Sequence, residues 1–264
     1  MTVTLEAIEY GAGPPVAILH GLFGSGRNWS GIAQRLAAQH RVIAFDLRNH
    51  GASPWAGTMS YAEMAEDVEA AMRARGHRRH ALMGHSMGGK VAMVAALTEP
   101  AAIERLIVVD IAPIAYPPRY LNYVRAMRGV ALGPATRRRD VDAQLASVVR
   151  SPAERAFLQQ SLVLGDGPPR WRLNLAALES AMPALAGFPD FPAGASYSGP
   201  ALFIAGGRSD ALAPAHEAAT TALFPHAAVA RVADAGHWVH AERPEALLAL
   251  IEPFLTRGIP RDAD

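Results

Sequence analysis

The sequence predicts an α/β protein in which helices cover both faces of a mostly parallel sheet. Short apolar runs alternate with longer segments of helical periodicity, and most runs are followed by glycine or a polar residue. Such nearly continuous runs are typical of parallel strands, because both faces of those strands are buried. The alternation of the two patterns indicates a doubly wound sheet. The predicted strands cover residues 16–19, 42–45, 81–83, 106–109, 201–205 and 229–232.

Helical patterns fill the intervals between most of these strands. They cover about residues 29–39, 61–75, 90–98 and 244–255. In the second segment, Ser60 and Glu63 have the spacing of a capping box, and apolar side chains recur opposite acidic ones. This pattern predicts a helix on the surface of the sheet.

The pattern changes between residues 113 and 198, where prolines cluster and strand-like runs are scarce. Amphipathic pieces at about 119–128, 140–149, 153–164 and 173–182 predict helices here. Ligands of parallel sheets bind beyond the carboxyl ends of the strands, so an insertion that leaves from that edge would cover the binding crevice. We therefore expect a core of residues 1–112 and 199–264 and a helical cap of residues 113–198.

Composition excludes several chemistries. The 264 residues contain no cysteine, which excludes a thiol nucleophile, a disulfide framework and a cysteine-bearing metal site. The formal charge of +1 gives no long-range attraction to nucleic acid. The N-terminal residues lack a signal-peptide pattern, and no apolar stretch approaches 18 residues. We expect a cytoplasmic protein without nucleic-acid or membrane partners, whose oligomeric state the sequence does not predict.

The segment GHSMGG at 84–89 is the strongest chemical signal in the chain. It follows a predicted strand and precedes a predicted helix, which is the context of a nucleophile elbow with the pattern G-x-S-x-G. Glycine is needed at positions 84 and 88 because side chains flanking a strained nucleophile would collide. The N-terminus of the helix also directs N–H groups toward developing negative charge. Ser86 is the predicted nucleophile.

A serine hydroxyl needs a general base, and His237 is the predicted one. It follows Gly236, beyond the last predicted strand and just before the final helix. This order, with the serine first and the histidine late, matches the hydrolase arrangement. His240 lies three residues later and is the alternative, but His237 directly follows the glycine that frees the loop.

The segment HGLFGS at 20–25 follows the first buried strand and predicts an oxyanion hole. A loop in this position supplies one backbone N–H, and the residue after the nucleophile, Met87, supplies the other. Leu22 is the favoured donor in the loop and Phe23 the alternative. Phe23 and Trp238 are also candidates for lining the acyl pocket.

Five motifs together resemble the α/β-hydrolase fold, and within it the bacterial YbfF esterases and the related ABHD11-type hydrolases. They are GHSMGGK at 84–90, HGLFGS at 20–25 with Asn28 and Trp29, DLRNHGASP at 46–54, VDIAP at 109–113 and GHWVHAE at 236–242. The resemblance spans about residues 3–256 and is weakest in the predicted cap. It implies hydrolysis of small-molecule carboxylic esters or acyl thioesters by an acyl-enzyme mechanism that requires no cofactor.

The acid that orients the histidine has two candidates. Asp210 follows the strand at 201–205, which is the usual acid position in this fold, and Asp110 ends the strand after the nucleophile helix. The resemblance favours Asp110, because the YbfF-like subgroup carries an aspartate in its V-D-I-x-P motif. The same subgroup has serine at the position of Ser209, which implies support for His237. Asp234 is the least favoured acid and is interpreted as shaping the loop.

The remaining polar residues receive structural interpretations. Asp46, Arg48 and His50 lie at a strand end and are expected to brace the loop near the crevice. The other histidines are expected at the surface or behind the site, His80 among them, and no histidine or carboxylate cluster has metal-ligand spacing. The alternative functions are a carbon-carbon bond hydrolase or lactonase on the same triad, and a ligand receptor with little turnover.

Overall fold

A computed structural model describes residues 1–165 and 167–257 of the chain, and its centre is a seven-stranded sheet in the order β1-β3-β2-β4-β5-β8-β9. The strands are β1 (Ala7–Tyr10), β2 (Pro15–Leu19), β3 (Arg41–Phe45), β4 (His80–His85), β5 (Ile103–Val109), β6 (Leu162–Val163), β7 (Arg170–Trp171), β8 (Ala201–Gly206) and β9 (Ala227–Val232). The small strands β6 and β7 pair with each other, away from the main sheet.

Helices surround the sheet. They are α1 (Ser30–Leu36), α2 (Tyr61–Ala74), α3 (Met87–Thr98), α4 (Leu121–Gly129), α5 (Arg138–Leu145), α6 (Pro152–Leu158), α7 (Leu175–Ala186), α8 (Glu217–Leu223), α9 (Val239–Glu242) and α10 (Pro244–Arg257). The predicted capping box of α2 is confirmed, because Ser60 Oγ accepts the Glu63 N–H and the Glu63 carboxylate accepts the Ser60 N–H.

The strand directions bring the site together. All neighbouring strands of the main sheet run parallel except β1, which pairs antiparallel with β3. The carboxyl ends of the parallel strands therefore meet at one edge. Helices α1 and α10 pack on one face and α2 and α3 on the other, and every residue of β4 and β8 is buried between them. The predicted fold class and the six predicted strands are confirmed.

Strand β1 was not predicted. Its four residues, AIEY, contain no continuous apolar run, and none of them is fully buried. An edge strand has one hydrogen-bonded neighbour, so it lacks the two-sided burial that makes the central strands visible in a sequence.

The chain between β5 and β8, which we call the inserted segment (residues 113–198), contains α4 to α7 and the β6–β7 hairpin. The helix predicted at 153–164 is α-helical to Leu158 and continues as a 3-10 turn over Gln159–Ser161. The prediction is wrong beyond Ser161, because Leu162 and Val163 pair with β7 instead. The guanidinium of Arg138 donates to the carbonyls of Gln159 and Leu162, which further separates this stretch from a continuing helix.

Lys90 of α3 forms hydrogen bonds with the inserted segment at two places far apart in sequence. Its buried ammonium donates to the carbonyl of Ile114 at 2.8 Å and to the carbonyl of Gly187 at 2.5 Å. The ring of Tyr116 lies 4.8 Å from the same ammonium, a distance at which a cation and an aromatic face attract. One side chain of α3 thus joins the start of the segment to the end of its last helix, α7.

Candidate active site

Ser86 lies in the tight turn between β4 and α3, and its backbone has a strained conformation. Its backbone has φ 52° and ψ −118°. A Cβ atom at Gly84 would lie 2.1 Å from the carbonyl oxygen of Gly88, and one at Gly88 would lie 2.5 Å from that of His20. No side chain fits at such distances, so the two glycines have the steric role that the sequence predicts.

A continuous hydrogen-bonded line joins three of the predicted site residues. The Ser86 Oγ lies 2.9 Å from His237 Nε2, and His237 Nδ1 lies 2.7 Å from Asp110 Oδ2. Since an ionised carboxylate only accepts, the proton of the neutral ring lies on Nδ1. His237 Nε2 is then free to accept the proton of the Ser86 hydroxyl.

Asp110 is fully buried and held by donors on both carboxylate oxygens. The Gly206 N–H donates to Oδ1 at 2.8 Å, and the Ser209 hydroxyl donates to Oδ2 at 2.6 Å. The resemblance implies that Ser209 supports His237 indirectly, and the structure places its hydroxyl on the Asp110 carboxylate, through which it reaches the histidine. With the contact to His237 included, three hydrogen bonds therefore fix the orientation of the Asp110 carboxylate.

The alternative acids and the alternative base lie elsewhere. Asp210 and Asp234 are exposed, and within residues 1–165 and 167–257 neither forms a hydrogen bond with His237. The ring of His240 stacks on Trp29 at 4.3 Å. Burial, with a smaller effect of His237, lowers the pKa of His240 to about 4, so this ring is neutral.

The two predicted oxyanion donors, the backbone N–H groups of Leu22 and Met87, have no acceptor in the described part of the chain, and both residues line a cavity together with Ser86. Met87 is the first residue of α3, where N–H groups have no helical partner. The N–H of Phe23, the alternative donor, is occupied because it donates to His50 Nε2 at 3.3 Å.

His85 was not singled out from the sequence, although it contacts the loop that holds His237. Its Nε2 lies 2.8 Å from the His237 carbonyl oxygen, so the ring donates there. Burial, followed by the nearby His237 and His240, lowers the pKa of His85 well below its usual value, which leaves it neutral. The only sequence signal is its place as the variable residue of G-x-S-x-G, and that place alone predicts no contact.

His80 departs from its expected place. The sequence interpretation puts it at the surface or behind the site, but its side chain is fully buried, and its Nε2 lies 3.3 Å from the carboxylate of Glu69 in α2. A long-range pairing of this kind has no local sequence signal.

Two cavities meet at Ser86 and His237. The larger, of about 220 Å³, is walled mainly by apolar and aromatic side chains: Leu22, Tyr61, Met87, Ile111, Tyr116, Pro117, Pro118, Tyr120, Met182, Leu185 and Ala211. The exposed Asp210 lies on its wall. The smaller, of about 30 Å³, contains the predicted pocket residues Phe23 and Trp238 together with Tyr123 and Glu154 of the inserted segment.

Two further searches cover the described residues only. In residues 1–165 and 167–257, no three histidine, aspartate or glutamate side chains are grouped so as to hold a metal ion. No helix of that same part of the chain is both long and apolar enough to cross a membrane.

Comparisons with known proteins identify the family of this chain. The family described as alpha/beta hydrolase fold matches residues 14–244. The sn-1-specific diacylglycerol lipase ABHD11 of Mus musculus is 38% identical over 250 residues, which cover 92% of this chain and 81% of that protein. Esterase YbfF of Escherichia coli is 35% identical over 242 residues, which cover 91% and 92% of the two chains.

A solved structure described as a marine microorganism esterase superposes with a TM-score of 0.92 at 31% identity, over 96% of this chain and all of that one. The family match spans most of the sequence, and relatives above 30% identity cover nearly all of it. The chain therefore belongs to the α/β-hydrolase fold family and is a hydrolase of the carboxylesterase type.

Proposed function

We propose that this protein is a serine hydrolase that cleaves carboxylic esters through an acyl-enzyme on Ser86. The observation that supports this most strongly is the line of two short contacts from Asp110 through His237 to the Ser86 hydroxyl, at 2.7 and 2.9 Å. A weakly nucleophilic hydroxyl becomes reactive when a base lies at this distance and a carboxylate orients the base.

The reaction follows from these positions. His237 Nε2 accepts the Ser86 proton while Oγ attacks the ester carbonyl carbon, and the N–H groups of Leu22 and Met87 donate to the resulting oxyanion. Collapse of the intermediate expels the alcohol, which takes its proton from His237. Water, activated by the same ring, then attacks the acyl-enzyme and releases the acid. Asp110 stabilises the imidazolium in both steps.

The larger cavity is the proposed acyl site because its walls are mainly apolar. The inserted segment, residues 113–198, is the proposed cap, since its residues Tyr120, Met182 and Leu185 line this cavity together with Ser86 and His237 of the core. The ABHD11 relative is named as a diacylglycerol lipase, and diacylglycerol is a carboxylic ester. We infer that this protein acts on esters with apolar acyl groups, and that the matching thioesters enter the same cavity.

The nucleophile is tested with a fluorophosphonate probe and intact-mass detection. Wild-type protein is expected to gain one adduct, and Ser86→Ala none. Turnover of a nitrophenyl ester by the same variant is expected to fall by about 10⁵-fold or more. Ser180→Ala, on the exposed face of α7, is the matched control and keeps both properties. An adduct that persists in Ser86→Ala would reject the proposal, as would an unlabelled wild type.

The leaving group is tested with paired substrates. Octanoyl nitrophenyl ester and an octanoyl thioester share the acyl group, so the ratio of their kcat/KM values reports the leaving group alone. A second series of nitrophenyl esters from acetyl to decanoyl reports the acyl cavity. A flat response across this series would contradict the assignment of the larger cavity.

A further inference from the structure

The loop that carries Leu22 has an unusual conformation for its sequence. Phe23 has φ 67°, in the left-handed region, although it is neither glycine nor asparagine. A residue in this region costs of order 1–3 kcal/mol unless the surroundings hold it there. In this conformation the Phe23 N–H donates to His50, whereas the preceding N–H, that of Leu22, has no acceptor in the described part of the chain.

Two buried histidines hold this conformation reciprocally. The loop at residues 20–25, which carries Leu22, is here called the oxyanion loop. His50, which belongs to the 46–54 loop, accepts the Phe23 N–H of the oxyanion loop on Nε2 at 3.3 Å. His20, which belongs to the oxyanion loop, accepts the Leu47 N–H of the 46–54 loop on Nε2 at 3.0 Å. The ring centroids are 5.0 Å apart, and both side chains are at most 1% exposed. Each loop thus donates one backbone N–H to a histidine ring of the other loop.

Both contacts require the same protonation state. His50 Nδ1 lies 3.0 Å from the Arg48 carbonyl oxygen and His20 Nδ1 lies 2.8 Å from that of Gly21. A carbonyl oxygen only accepts, so each Nδ1 carries the proton and each Nε2 is a bare acceptor. Burial lowers the pKa of His20 to about 4 and that of His50 to about 3, which keeps both rings neutral at any ordinary working pH.

The 46–54 loop is itself anchored deep in the core. The Arg48 guanidinium pairs with the buried Asp67 carboxylate at 2.6 Å, which ties the loop to α2. The Asp46 carboxylate accepts the Gly26 N–H at 2.7 Å, just after the oxyanion loop. The backbone of the 46–54 loop is therefore held in place, and the hydrogen bond from the Phe23 N–H to His50 holds Phe23 relative to it.

We propose that His20 and His50 are positioning residues that form a reciprocal latch between the two loops and thereby aim the Leu22 N–H at the oxyanion. The latch rests on the proposed function, because it needs Leu22 to be an oxyanion donor. It assigns a role in the reaction to the DLRNHG motif, for which the sequence suggests only a structural one. Small displacements of such a donor reduce the rate, because its position must match the transition state rather than the substrate.

The test compares two substitutions of His50. His50→Leu removes the acceptor of the Phe23 N–H and is expected to lower kcat by about 10- to 100-fold, less than the ~10²- to 10³-fold cost of losing an oxyanion donor outright. KM should stay within threefold. A trifluoromethyl ketone, whose hemiketal oxygen occupies the oxyanion hole, should lose affinity by the same factor as kcat/KM. His50→Gln, whose amide oxygen can accept at the position of Nε2, should recover most of both losses.

His40→Leu is the matched control, because His40 is another buried histidine but lies just before β3, away from the site. Its kcat per Ser86 titrated with fluorophosphonate should be that of the wild type. A role in stability alone would lower the melting temperature of His50→Leu and leave its kcat per titrated site and its inhibitor affinity unchanged, and this result would overturn the latch. If wild-type protein takes no adduct at Ser86, the proposed function has failed instead.

A measurement without turnover tests the latch directly and does not depend on whether His50→Leu folds. Long-range ¹H–¹⁵N NMR of the wild type reports which ring nitrogen carries the proton. We expect the Nδ1–H form for both His20 and His50, and slow hydrogen exchange at the Phe23 and Leu47 amides. An Nε2–H form at either ring, or fast exchange at both amides, would reject the reciprocal contacts.

Discussion

The sheet core and the inserted segment contribute to the site in different ways. The core supplies the polar groups, since Ser86, Asp110 and His237 all follow strands of the main sheet, and each is held by hydrogen bonds to core residues. The inserted segment supplies mainly aromatic and apolar walls, such as Tyr120 and Met182. From this contrast we expect the core to determine the reaction and the segment to determine which acyl groups reach it.

The polar contacts of the two regions also differ in burial. The inserted segment contains ten arginines against six aspartates and glutamates, and its Arg125 pairs with Glu179 at the surface. In the core, by contrast, Arg48 and Asp67 are both at most 1% exposed. Exposed pairs contribute about 0–1 kcal/mol, whereas breaking a buried pair costs ~3–5 kcal/mol. Loss of the exposed Arg125–Glu179 pair should therefore cost little stability, whereas loss of one partner of the buried Arg48–Asp67 pair should cost much more.

The largest effect is expected when the hydrogen bond between Asp110 and His237 in the core is disrupted. Asp110→Asn should lower kcat by about 10⁴-fold, because an amide in place of the carboxylate favours the wrong tautomer of His237. Asp210→Asn should stay within about threefold, since Asp210 is exposed on the cavity wall. The measurement is steady-state hydrolysis of a nitrophenyl ester per titrated site. Near wild-type turnover by Asp110→Asn would reject the assignment of the acid.

The next largest effect is expected when the contacts of Lys90, which join the core to the inserted segment, are removed. Lys90→Met keeps the apolar stem but removes the donor of three partly buried carbonyls, those of Ile114, Ala186 and Gly187. We expect a loss of about 3 kcal/mol in the free energy of unfolding, measured by urea denaturation. Arg73→Met, which removes an exposed ion pair with Glu99, is the control and should cost less than ~1 kcal/mol. Equal losses in the two variants would show that the junction contributes no more than a surface pair.

A third variant tests whether the inserted segment affects the choice of acyl group without affecting the reaction itself. Met182→Trp places a larger side chain on the wall of the larger cavity. It should lower kcat/KM for a decanoyl ester by about 10- to 100-fold, the range that a few methylene contacts represent, and leave the acetyl ester within twofold. Val148→Trp, at an exposed site of the same segment, is the control and should change neither. Equal losses on both esters would contradict the division of roles.

The smallest effect compares matched helix caps. Ser60 caps α2 in the core, and Ser151 caps α6 in the inserted segment. Replacing either by alanine should cost about 1 kcal/mol of helix stability. We expect Ser60→Ala to lower the global free energy of unfolding and Ser151→Ala to raise amide exchange mainly within residues 138–158. A purely local change in Ser60→Ala, or a global one in Ser151→Ala, would show that the two regions do not differ in cooperativity.

Prediction from the sequence succeeded where local sterics or two-sided burial leave a pattern. The central strands were visible because both of their faces are covered, and the elbow was visible because positions 84 and 88 admit only glycine. Prediction failed where pairing decides the structure. The β6–β7 hairpin occupies part of a predicted helix, and helix α8, with the sequence EAATTAL, has too weak an apolar stripe to stand out.

By itself the sequence determined the fold class, the elbow at Ser86 and the late position of His237, because these depend on order along the chain and on local backbone geometry. Only the tertiary structure decided which aspartate contacts that histidine and which N–H of the oxyanion loop is free. Asp110 and His237 are 127 residues apart, and Phe23 and His50 are 27 apart. Such contacts depend on how strand ends meet at one edge of the sheet, where differences of a few ångströms separate a hydrogen bond from none.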